Sequence, residues 1–74
     1  MEPLYQKIYN DLYFLIKNGR LRTGDLLPTE LELSEKYNVS RITAAHALNE
    51  LKLKGFISRT KRKGSVVLPL KESI

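Results

Sequence analysis

The chain contains no cysteine and no tryptophan, and it has a single histidine, His46, and a single methionine. Without thiols, neither a disulfide framework nor a thiolate metal site can form. His46 has no partner histidine, so no catalytic constellation, no metal site and no cofactor are expected. Long hydrophobic runs are missing as well. The apolar stretch Leu12 to Ile16 falls far short of the roughly 20 residues that a membrane-spanning helix needs, and nothing near the start resembles a signal peptide. A soluble, intracellular protein that is not an enzyme and has no membrane partner is the expectation.

What is present suffices for one small domain. Of 74 residues, 42% are hydrophobic. A fold of this size hides only about 60% of the surface its unfolded chain exposes, so its core is modest. One domain is expected over residues 1–70, with 71–74 the start of a linker or a frayed end. The formal net charge is +5. Lys52, Lys54, Arg59, Lys61, Arg62 and Lys63 follow one another without an intervening acid, whereas the other cations are interleaved with carboxylates. Such a cluster suits a polyanion, because neutralising phosphates releases condensed counterions.

The hydrophobic spacing predicts a first helix over about Pro3–Asn18, with Leu4, Ile8, Leu12, Leu15 and Ile16 recurring at helical intervals and Gly19 as its stop. Tyr9, Tyr13 and Phe14 spread beyond that stripe, as wider core packing or as a surface that docks another chain. Residues Arg20 to Pro28 read as a connector. Thr23-Gly24-Asp25 is turn chemistry, and Leu26-Leu27 allows only a short extended piece. Thr29 and Glu32, three residues apart, form a capping box for a short second helix ending near Asn38. Ser40 caps a third helix running to about Lys54, which Gly55 ends. Ile57–Thr60 and Ser65–Leu68 read as strands joined by the turn Lys61-Arg62-Lys63-Gly64. The fold class is mostly α with a small β-hairpin: a winged helix-turn-helix of three helices plus a two-stranded wing, suggested chiefly by the tight junction at residues 38–40.

At about 100° per residue, Ala44, Ala47, Leu48 and Leu51 fall on one side of the third helix, and Ile42, Ala45, His46, Asn49 and Leu53 on the other. The second side is expected to be presented, and a helix of this diameter fits the major groove of B-DNA. Arg41 can bond guanine O6 and N7 through its fork or clamp a phosphate. Thr43 can reach a phosphate or a base, and Ile42 can lie against a thymine methyl. His46 and Asn49 carry hydrogen-bonding heads further along, or are simply solvated. Lys61, Arg62, Lys63 and Gly64 form a cationic tip suited to phosphates or the minor groove, or serve only solubility. Thr29 holds a phosphate at a helix start, or only caps the helix. The alternative is a winged-helix protein–protein interaction module using Tyr9, Tyr13, Leu31 and Leu53. RNA is disfavoured, because the presented face lacks aromatic residues on which bases can stack.

Three runs carry a family likeness: Leu4-Tyr5-Gln6-Lys7-Ile8; Ile16…Gly19…Leu21…Gly24-Asp25…Leu27-Pro28-Thr29-Glu30; and Val39-Ser40-Arg41…Thr43…Ala47-Leu48…Leu51…Gly55-Phe56-Ile57. Over about residues 4 to 68 the chain resembles the N-terminal DNA-binding domain of GntR family transcriptional regulators. The resemblance implies a repressor or activator, with repression favoured, acting as a homodimer on a near-palindromic double-stranded operator at the cytoplasmic nucleoid. Its usual DNA contacts would fall on Thr29, Ser40, Arg41, Ile42, Thr43 and Ala45, and on the wing tip. It also implies a C-terminal effector-binding and dimerising domain. With none in these residues, an excised domain or an unusually short member is expected, binding weakly or as a monomer. Leu31 and Ala45 stand where the family pattern has arginines, and Arg62 where it has a wing glycine. The base-reading set is thereby reduced to Arg41, and more affinity is expected from phosphates.

Overall fold

The computed structural model describes residues 3–60 and 64–69, and its elements run α1 (Leu4–Lys17), α2 (Glu30–Tyr37), α3 (Arg41–Leu53), β1 (Ile57–Thr60) and β2 (Gly64–Val67). Pro3 precedes α1 at φ −59°, and Ile8, Leu12 and Ile16 form its buried stripe. Leu4 is 60% exposed and does not join this stripe. In the first turn Tyr5, not Leu4, packs against the core. Gly19 ends the helix at φ +84°, a left-handed conformation that its missing Cβ makes easy.

Helix α2 starts with the reciprocal pair expected of Thr29 and Glu32. The Glu32 amide donates to the Thr29 hydroxyl at 3.1 Å, and the Thr29 amide donates to the Glu32 carboxylate at 2.9 Å. Asn38 closes α2 at φ 56° and ψ 51°, a left-handed position that asparagine tolerates better than most residues. The Val39 amide then donates back to the Ser34 carbonyl at 2.9 Å. Ser40 starts α3 at once, its hydroxyl accepting from the Thr43 amide at 3.1 Å. Three residues therefore turn the chain from one helix into the next.

Helix α3 is the centre of the fold, packing against both α1 and α2. Ala44, Ala47, Leu48 and Leu51 are at most 1% exposed. The two alanines let the neighbouring helices approach closely, while Leu48 and Leu51 fill the space between them. Truncating such a leucine to alanine costs about 2–5 kcal/mol, a large part of the roughly 5–15 kcal/mol that holds a domain folded. Helices α1 and α2 are tied together by Tyr37, whose hydroxyl donates to the Asp11 carboxylate at 2.7 Å. Burial, and then that bond, push the Tyr37 phenol up to about 12.

The hairpin pairs antiparallel, Ile57 opposite Val67 and Thr60 opposite Gly64. Ile57 and Val67 point into the core. The connector contributes more than a short extended piece. Leu26 bridges to Val66, the Leu27 amide donates to the Ser65 carbonyl at 2.9 Å, the Val67 amide donates to Asp25 at 2.9 Å, and the Gly24 amide donates to Val67 at 2.8 Å. β2 is therefore hydrogen-bonded along both edges. Leu27 is buried and Leu26 exposed, the alternation of a strand with one covered face.

Candidate nucleic-acid interface

Three chain segments converge beside the exposed side of α3: the start of α2, the start of α3 and the Thr60–Gly64 end of the two paired strands. Between them lies a cleft of about 240 Å³ lined by Thr29, Glu30, Leu31, Arg41, Leu48, Arg59, Thr60, Gly64 and Ser65. Thr29, Arg41 and Gly64, far apart in sequence, are thereby gathered around one opening. The Thr29 hydroxyl accepts the Glu32 amide and retains its own proton to give to an incoming oxygen.

On α3, Arg41 is exposed, and among the described residues no hydrogen bond or ion pair holds its guanidinium. Ile42 is 83% exposed, and Ala45 is partly so. Ser40 and Thr43 are occupied with each other, their hydroxyl oxygens 3.0 Å apart. His46 lies flat against Tyr5 of α1, ring centroids 3.8 Å apart and 11° from parallel, with Glu50 3.8 Å from its Nε2. Its ring is engaged with α1 at the flank of the presented side. Lys61, Arg62 and Lys63, the expected cationic tip, lie outside the described residues.

A pair that the motif reading did not single out organises the cleft. Arg59 of β1 forms an ion pair with Glu30 of α2 and donates through Nη1 to the Asn49 side-chain oxygen of α3 at 2.5 Å. The signal was present in the strand. Period-two alternation puts Arg59 on the same side as the buried Ile57, facing the helices, where a cation requires partners. Asn49, read from the wheel as a presented head, has its carbonyl oxygen occupied by this contact.

The residues proposed for a protein-docking face divide between two regions. Leu31 opens on the Arg41 cleft, whereas Tyr9 lines a separate hollow of about 160 Å³ with Gln6, Glu50 and Lys54. Tyr13 packs on Phe56 at 5.0 Å between ring centroids, and Leu53 stands 80% exposed at the far end of α3. Among the described residues no group of histidines, cysteines and carboxylates could hold a metal ion, and no helix is long and apolar enough to cross a membrane.

Solved structures similar to this one include the DNA-binding domain of AraR in complex with an operator, at TM-score 0.86 and 28% identity over 90% of this chain and 81% of that one. YtrA from Sulfolobus acidocaldarius, a GntR-family transcription factor, matches at TM-score 0.84 and 33% identity over 93% of this chain and 72% of its own. Among curated sequences, an HTH-type transcriptional repressor of Salmonella typhimurium is 39% identical over 97% of this chain, which spans 30% of that protein. The HTH-type transcriptional regulator TreR of Bacillus subtilis is 43% identical over 82% of this chain and 26% of its own length. The relatives are transcription regulators, not enzymes. The family described as "Bacterial regulatory proteins, gntR family" matches residues 4–67, and this chain, folded as a winged helix-turn-helix, belongs to the GntR family.

Proposed function

We propose that the chain binds double-stranded DNA sequence-specifically, as the operator-reading domain of a transcriptional repressor. The observation that carries this reading is Arg41: an exposed guanidinium with no partner among the described residues, at the first turn of a helix whose opposite side forms the core. That helix enters the major groove, with Arg41 on a guanine edge or phosphate and Ile42, Thr43 and Ala45 beside it. Thr29 and Ser40 meet the backbone at the two helix starts. Gly64 and the cations Lys61, Arg62 and Lys63 follow the phosphates next to the groove. The operator complex of the AraR domain supports the choice of partner.

A dimer acting on a near-palindromic operator in the cytoplasm, at the nucleoid, belongs to the same proposal, with an effector acting through a further domain of the whole regulator. His46 serves the interface by stacking on Tyr5, which steadies the helix that carries Arg41. Selection of duplexes from a random DNA pool, followed by anisotropy titration, tests the reading. A consensus bound more tightly than random duplex is the expected result. Indifference to sequence at every salt concentration would overturn it.

A further inference from the structure

The presented side of α3 is short of free hydrogen-bonding groups. The Ser40 and Thr43 hydroxyls, 3.0 Å apart, share one hydrogen bond, and Ser40 also accepts the Thr43 amide, which leaves a single hydroxyl proton between them. The Asn49 carbonyl oxygen accepts a hydrogen bond from Arg59 Nη1 at 2.5 Å, so Asn49 lacks the free amide pair that bidentate adenine recognition needs. His46 is stacked on Tyr5. At the N-terminal end of this side, Arg41 has no partner among the described residues.

Apolar groups are well represented on the same side. Ile42 directly follows Arg41 and is 83% exposed, so its branched side chain stands almost wholly in water. Ala45, one turn on and partly exposed, is small enough to leave room beside it. Leu31, 45% exposed, opens on the cleft that Arg41 lines. The major-groove edges of the bases carry one apolar group, the C5-methyl of thymine.

We propose that Ile42 is a specificity-determining residue that reads thymine C5-methyl groups, so that the preferred half-site places thymines beside the base pair met by Arg41. The inference rests on the groove docking proposed above and adds the base class that the groove must display. A methyl brought against Ile42 removes apolar surface from water on both partners, which an unmethylated pyrimidine edge cannot match.

The test uses this chain and a duplex it selects from a random pool, resynthesised with each thymine in turn replaced by deoxyuridine. Uracil keeps the base pair and loses only the methyl. One or two replacements should weaken binding about fourfold each, the scale of one buried methyl-sized group. Ile42→Ala should bind the thymine and uracil duplexes alike, and Ile42→Val should keep part of the difference, with circular dichroism confirming unchanged helix content. If the chain prefers its selected duplex but ignores every deoxyuridine, or if Ile42→Ala keeps the full methyl effect, the inference is overturned while groove docking stands. Failure to prefer any duplex overturns groove docking itself, and this inference with it.

Discussion

Arg59 on the first hairpin strand grips Glu30 at the start of α2 and Asn49 midway along α3, so one side chain joins three elements around the cleft. The contact is partly shielded, with the Arg59 side chain 24% and that of Glu30 36% exposed. Solvent screening at that exposure keeps its contribution small, about 1 kcal/mol. Its larger consequence is geometric, because it fixes the hairpin against the two helices that frame the opening.

The two partners should therefore respond differently to mutation. Arg59→Ala should lower the melting temperature by roughly 4–8 °C, the scale of 1 kcal/mol in a domain this small, and weaken selected and random duplexes together. Glu30→Gln should also lower it but should tighten random-duplex binding at low salt, since it removes a negative charge from the face that meets phosphates. Thermal melts and anisotropy on the two variants check this. Weaker random-duplex binding by Glu30→Gln would show that its carboxylate does not face the backbone.

Arg41→Ala should cost about 1–3 kcal/mol on the selected duplex, with preference relaxed at one or two base pairs. Random duplex should lose much less. Titrating both duplexes at one salt concentration measures the difference, and equal losses would assign Arg41 to a phosphate.

Replacing Lys61, Arg62 and Lys63 together with glutamine should weaken every sequence to a similar degree. It should also flatten the plot of log affinity against log salt, by about one unit of slope for each phosphate no longer neutralised. An unchanged slope would remove the hairpin tip from the interface.

Tyr37 supplies a pH test of the helix packing. Its folded-state value of about 12 lies above the ordinary 10.0. A raised value means that the protonated phenol stabilises the fold at pH below the ordinary value, and that this stabilisation is lost as pH climbs from about 10 towards 12. Tyr37→Phe should be less stable than the parent near neutrality, by about 1 kcal/mol for the missing bond to Asp11. The parent's advantage should shrink through that alkaline window. Urea midpoints of both proteins measured side by side would show it, since other groups titrate alike in each and cancel.

Much of this architecture was legible because it is local. Thr29 with Glu32, Ser40 at the start of α3, and Gly19 at the end of α1 are helix signals that act over three or four residues, and each stands where the spacing placed it. The alternation of α3 likewise separated Ala44, Ala47, Leu48 and Leu51 from Ile42 and Leu53. What escaped depends on tertiary neighbours. Leu26 meets Val66 across forty residues of chain, and no periodicity announces a single bridge. Leu4 continues the helical stripe yet stays exposed, because Tyr5 takes the first-turn place against the core. At the site, the wheel placed His46 and Asn49 on the presented side but not the contacts that engage them. Those partners, Tyr5 and Arg59, lie on α1 and β1.

The stack of His46 on Tyr5 has a mechanical consequence. Leu48 and Leu51 key α3 into the core beside its two alanines, and rolling it by one residue would exchange the set of side chains offered to a partner. The imidazole laid flat on the phenol adds a second stop outside the core, between α3 and the opening turn of α1. Altering the vocabulary of this reader should therefore be possible from behind, through residue 5, without touching any side chain at the front.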